Sequence, residues 1–140
     1  MKIEFSARGF PQTKGSTKAF MRPGMRYPVI TNDNAKNKAW EQVLKLEAQR
    51  HAPAQIFDGP VSVMLTFHMV KPKSYPKTRV LQHTKKPDID KLVRSFNDAM
   101  TGVIWRDDSQ VVNLSAMKKY SDAPGVDVVI LLHDDGVVSQ

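Results

Sequence analysis

A single α+β domain, a small mixed sheet covered by two main helices, is the fold this sequence predicts. Three observations carry that prediction: alternating apolar and polar stretches that read as strands, two helical patterns set between them, and a length of 140 residues, which normally makes one domain. With 41% apolar residues, the chain can bury one core.

Residues Lys2 to Phe10 alternate, with Ile3, Phe5 and Ala7 on one side, and predict a first strand. Gly9 to Pro28 combines Pro11, Gly15, Pro23, Gly24 and Pro28 with Lys14, Lys18, Arg22 and Arg26, and reads as a long basic loop. Asn32-Asp33-Asn34 supplies helix-capping residues, and Trp40, Val43 and Leu44 follow at helical spacing to about Arg50. Gly59-Pro60 opens a half-buried strand, with Val61, Val63, Leu65, Phe67 and Met69 facing one way and Ser62, Thr66 and His68 the other. Lys71 to Pro87 is a second basic connection, punctuated by Pro72, Pro76 and Pro87. A helix from about Asp88 to Met100 gathers Leu92, Val93, Phe96, Ala99 and Met100 in one arc, and Thr101-Gly102 ends it. Two strands close the domain, roughly Gln110 to Lys118 and Val126 to His133, with a frayed tail expected from Asp134.

The absence of cysteine excludes a disulfide framework, a thiolate nucleophile and any cysteine-ligated zinc or iron–sulfur site. No apolar run is long enough to span a bilayer, and Met1 to Arg8 lacks the apolar centre of a signal peptide, so a cytoplasmic protein without membrane attachment is expected. The net charge of +7 favours a polyanionic partner. Eight basic residues lie between Lys71 and Arg94 against two acids, whereas no lysine or arginine follows Tyr120. A solvated surface explains such clustering about as well as a binding face does.

The two acids in that basic stretch are Asp88 and Asp90. Carboxylates at i and i+2 diverge on a regular helix, so they converge only if Asp88 sits in an extended lead-in and Asp90 in the first turn. Like charges held together call for a cation, and Mg²⁺ takes one or two carboxylates plus phosphate and water. Taken alone, the pair is better explained as an N-cap and a dipole partner. A second acidic pair, Asp107-Asp108, changes that balance. A hairpin-like return through Gly102 would bring it alongside the helix N-terminus, giving an all-oxygen site suited to Mg²⁺ or Mn²⁺ rather than zinc. On the same helix Asp90, Arg94 and Asp98 form a polar stripe. Weak surface ion pairs are the plain account of the stripe and mostly suffice for Asp98, whereas Arg94, one turn from a metal site, could clamp a phosphate or stabilise developing charge.

Three blocks then stand in order: Lys86-Pro87-Asp88-Ile89-Asp90-Lys91-Leu92-Val93-Arg94, Asn97-Asp98-Ala99-Met100-Thr101-Gly102-Val103, and Asp107-Asp108-Ser109-Gln110-Val111-Val112. Together they resemble the RusA family of Holliday junction resolvases over about residues 85 to 120. The resemblance implies a RusA-like fold and a metal-dependent endodeoxyribonuclease that resolves four-way junctions by paired nicks in DNA recombination and repair. It implies that Asp88, Asp90 and Asp108 bind catalytic Mg²⁺, with Mn²⁺ as a substitute and Asp107 a lesser candidate. It also implies a homodimer. Two departures stand out: Lys91 replaces the usual Asn, and Arg94 replaces a functional Lys, keeping charge but losing a titratable amine. Phosphate contacts are expected from Lys14, Lys18, Arg22, Arg26, Lys71, Lys73, Lys77, Arg79, Lys85, Lys86, Lys91 and, on the following strand, Lys119. Met21, Tyr27 or Tyr75 could wedge at a junction centre, with packing roles the plainer account.

Other classes find little support. No P-loop, Rossmann glycine pattern or G-x-S-x-G occurs, so no nucleotide cofactor is expected. His51, His68, His83 and His133 have no metal-ligand spacing. The rival readings are a non-catalytic DNA-binding module on the same scaffold, and a nuclease that prefers flaps or forks.

Overall fold

The computed structural model describes residues 1–13, 17–20, 24, 29–32 and 35–134. Its frame is a four-stranded sheet built from β1 (Lys2–Arg8), β4 (Val61–Val70), β5 (Val111–Ser121) and β6 (Gly125–Leu132) in the order β1-β6-β4-β5. β6, the last of the described strands, is thus interior, running antiparallel to both β1 and β4. β4 and β5 are parallel, which makes the sheet mixed. Parallel neighbours need a crossover. Here that crossover contains the connector 71–87, the helix α2 (Ile89–Met100) and a 3-10 turn (Asp108–Gln110).

Alternation decides which side of the sheet is covered. Ile3, Phe5 and Ala7 of β1, the odd-numbered residues Val61 to Met69 of β4, and Val126, Val128 and Ile130 of β6 are all buried. Against this face lie α1 (Ala35–His51) and α2. α1 buries Trp40, Leu44 and Ala48; α2 buries Leu92, Val93, Phe96, Ala99 and Met100 on one arc. Each large apolar side chain fully buried there contributes roughly 1.5–3 kcal/mol. Ser95 donates a 2.9 Å hydrogen bond to Asn37 Oδ1, a buried polar tie between the helices. The other sheet face is open, with Met64 and Met117 more than half exposed (53% and 57%).

The expected elements are present, with boundaries shifted by a few residues. One expectation needs correction. The stretch 9–28 is not wholly loop: Thr17–Phe20 (β2) pairs antiparallel with Val29–Asn32 (β3) as a separate two-stranded sheet. Lys18 therefore belongs to a strand. Lys14, Met21, Arg22, Arg26, Tyr27 and the tail beyond Asp134 lie outside the described residues.

Candidate active site

The head of α2 has the conformation its carboxylate pair requires. Asp88 is the N-cap residue, extended at φ −70° and ψ 140°, and Asp90 occupies the first turn. Asp88 accepts the first helical bond through its backbone, from Leu92 N–H at 3.1 Å, but its side chain makes no capping bond. The carboxylate is thus left for other partners, and its one described ion pair is with Lys91 at 3.5 Å, both side chains being more than half exposed. Asp90 and Arg94 are exposed on the same helix. Asp98 lies on this polar side too, half-buried.

Asp108 is elsewhere. It accepts hydrogen bonds from the Thr101 hydroxyl and, at 3.3 Å, from Trp105 Nε1. Thr101 is the C-cap of α2. A helix of 12 residues is about 18 Å long, so Asp108 stands at the opposite end from Asp88 and Asp90. The expected return of the second pair to the helix N-terminus does not occur within one chain. The cause is the tight turn after Met100: Ile104 N–H reaches back to Met100 O, Gly102 N–H bonds Trp105 O, and Ile104 and Trp105 are fully buried. That anchor holds the chain at the helix C-terminus. Accordingly no group of three or more Asp, Glu, His or Cys residues suited to a metal occurs among the described residues.

Asp107 has a structural role. It forms a capping box with Gln110 and accepts from Ser109 N–H at 2.9 Å. The Ser109 backbone and side-chain hydrogen bonds hold its carboxyl below the usual range. Gln110 fastens the turn by accepting from the N–H groups of Arg106 and Asp107 at 2.8 Å and donating to Phe57 O and Gly59 O.

The connector that delivers Asp88 lies along the end of β5. Tyr75 packs edge-on against Tyr120, His83 lies 4.7 Å from the same ring, and Gln82 bridges to Lys119. Burial first, then the charge of Lys118, holds the His83 imidazole below its ordinary value. Lys71, Tyr75, Lys77 and Arg79 help line a concave basic surface of about 600 Å³. Lys85 and Lys86 are exposed beside the head of α2. Lys71 pairs with Asp122 at 3.1 Å and also lies over the Tyr75 ring.

Lys119, the expected basic position on β5, is exposed and aligns with His68 on the open sheet face. The residue that reaches the site is its neighbour. Lys118 aligns with buried Phe67, and its ammonium donates to Lys85 O at 2.7 Å and Pro87 O at 2.8 Å. Strand alternation carried the signal: Ala116, Lys118 and Tyr120 share a phase and are all half-buried.

The donors at the head of α2 are carboxylate oxygens beside exposed cations, the chemistry of a hard cation and a phosphate. Fold and site together define a basic α+β domain with an acidic pair presented at a helix entrance. The family description "Endodeoxyribonuclease RusA" matches residues 11–131, and the chain belongs to this family of endodeoxyribonucleases. It is also 36% identical over 137 residues to the uncharacterized protein YqaN of Bacillus subtilis (strain 168), covering 91% of this chain and 94% of that protein.

Proposed function

We propose that the protein is a Mg²⁺-dependent, structure-selective endonuclease that resolves four-way DNA junctions as a homodimer, in DNA recombination and repair in the cytoplasm. The observation that carries this reading is the Asp88–Asp90 pair: exposed, free of side-chain capping, composed of oxygen donors and set beside a basic connector in a chain of the RusA family. Mg²⁺, with Mn²⁺ as a substitute, would be held by Asp88 and Asp90 with Asp108 as the third carboxylate, and would supply an activated water and charge stabilisation.

The position of Asp108 supports a dimer. Its carboxylate lies about a helix length from the other two, so one chain does not gather all three. A two-fold axis crossing α2 would set the tail of one copy's helix beside the head of the other, completing two equivalent sites. Such symmetry also matches a four-armed substrate cut in opposed strands. Lys71, Lys73, Lys77, Arg79, Lys85, Lys86 and Lys91 bind backbone phosphates, as do Lys14, Lys18, Arg22 and Arg26 from the first basic segment, and Lys119. These contacts give affinity that falls steeply with salt. Arg94, four residues after Asp90, clamps the phosphate undergoing attack. As a permanent cation it orients and stabilises charge without taking a proton.

The test is cleavage of a labelled, immobile four-way junction, beside flap, fork and linear duplex, with Mg²⁺ and with EDTA. Paired nicks confined to the junction and lost in Asp90→Asn are expected, with activity down roughly a thousandfold or more. Tight junction binding without a cut would leave a DNA-binding module, and faster cleavage of flaps or forks would reassign the substrate.

A further inference from the structure

We infer that Lys118 is a positioning residue that sets the approach of Asp88 to the cation, an inference resting on the proposed nuclease reading. β5 is the edge strand of the sheet, and Lys118 lies near its C-terminal end with its stem turned toward the helix-covered side, in register with Phe67. Its ammonium binds two backbone carbonyls, those of Lys85 and Pro87. The second belongs to the peptide that leads directly into Asp88. Two carbonyls spaced two residues apart and gathered onto one cation fix the local path of the chain over the last residues before the helix.

The rest of the Asp88 environment leaves that task open. The Asp88 side chain does not cap the helix, so the usual bond that orients an N-cap carboxylate is missing. The other described links between connector and β5 act earlier in the chain, at Tyr75, Gln82 and His83. Among the described hydrogen bonds, only those of Lys118 join β5 to the residues leading into Asp88. Lys118 forms no ion pair among the described residues. His83, close by, is held below its ordinary value first by burial and then by the charge of Lys118. A strand residue thus sets the direction of a ligand that it does not touch. Groups that orient a metal's ligands commonly change cation affinity ten- to hundredfold when removed.

The experiment compares wild type, Lys118→Met, Lys118→Arg and Asp90→Asn as full-length proteins. Two readouts are taken: Mn²⁺ binding by calorimetry without DNA, and junction affinity in EDTA. The Mg²⁺ dependence of cleavage accompanies them. Lys118→Met keeps the stem and removes both donated bonds. It is expected to weaken Mn²⁺ binding and raise the Mg²⁺ requirement about tenfold or more, with junction affinity in EDTA changed less than about twofold. Lys118→Arg, still able to donate to both carbonyls, recovers most of the loss. Should Lys118→Met not fold, Lys118→Gln, which can keep one donated bond, replaces it, with an intermediate loss expected.

Unchanged Mn²⁺ binding in a folded Lys118→Met protein overturns the inference and leaves a plain tether. Loss of junction affinity in EDTA with an unaltered cation requirement also overturns it, in favour of direct phosphate contact. Wild type that neither binds Mn²⁺ nor cuts the junction sinks the nuclease reading itself, and this inference with it.

Discussion

One pair of aspartates stands at the head of α2 and another in the turn beyond its tail, and the two are used in opposite ways. At the head, Asp88 and Asp90 project into solvent, and Lys91 is the one described ion-pair partner of Asp88. At the tail, Asp107 and Asp108 are bound into the turn by Ser109, Gln110, Thr101 and Trp105. Carboxylates that satisfy local N–H and O–H donors hold a chain in place. Carboxylates withheld from such donors remain available for an external cation. Asp108 combines both roles in the proposed enzyme: one oxygen is engaged with Thr101 and Trp105, and a carboxylate has lone pairs on the other.

Breaking the comparison at its strongest point means asking whether head and tail act across two copies. Asp90→Asn and Asp108→Asn proteins are each expected to be inactive. Mixed and allowed to exchange subunits, they should regain nicking, because a mixed dimer contains one site with every carboxylate intact. Random pairing leaves roughly a quarter of the sites functional, counting half the dimers as mixed with one good site of two. No recovery in a verified mixed dimer would place each site within one chain, or remove Asp108 from it.

A smaller effect separates the ends by stability. Gln110→Ala deletes the side chain that accepts two N–H groups and donates to two carbonyls at the tail. It should destabilise the fold by about 2 kcal/mol. Asp90→Asn at the exposed head should change stability by less than about 0.5 kcal/mol. Denaturant titration of both variants checks this, and equal losses would erase the distinction.

The smallest effect is one of pH. His83, on the connector leading to the head, is held below its ordinary value of 6.5 by burial and then by Lys118. The unfolded chain takes up this proton first as pH falls. Stability is therefore full above about 6.5 and declines below it. The tail carries a different window, because the Ser109 bonds that lower the Asp107 pKa contribute stability that is lost only as the pH falls through the acidic range. Asp127 behaves likewise, held down by hydrogen bonds first from His68 and then from Ser6. The Tm of wild type should thus fall between about pH 7.5 and pH 5.5, and His83→Gln should flatten that decline. An identical decline in the variant would assign it to other groups.

Much of this was legible in the sequence, and the failures have a common cause. Period-2 alternation identified the buried faces of β1 and β4, and the apolar arc identified that of α2, because these patterns are local. The geometry of Asp88 and Asp90 followed from two residues and a proline. Asp108 was misplaced because its position depends on Trp105 and Ile104 finding the core, a tertiary event that spacing does not encode. The role of Lys118 depends on strand phase, since one residue's shift on β5 exchanges the sheet faces and sets Lys118 toward the helix-covered side and Lys119 on the open one. β2 lies in a stretch, 9–28, whose composition reads as loop, and it is a strand through pairing with β3.

The interior place of β6 also bears on how the molecule comes into being. Residues 125–132 supply the shared neighbour of β1 and β4, and Lys2 pairs with Leu131 across nearly the whole chain. A ribosome therefore releases β1 long before any partner for it exists, and the early chain must wait unpaired. A nascent copy stalled before β6 has a finished crossover, acids and basic connector included, but no closed sheet to hold them. The sheet that carries the acids and the basic connector is thus completed only once β6 has been made.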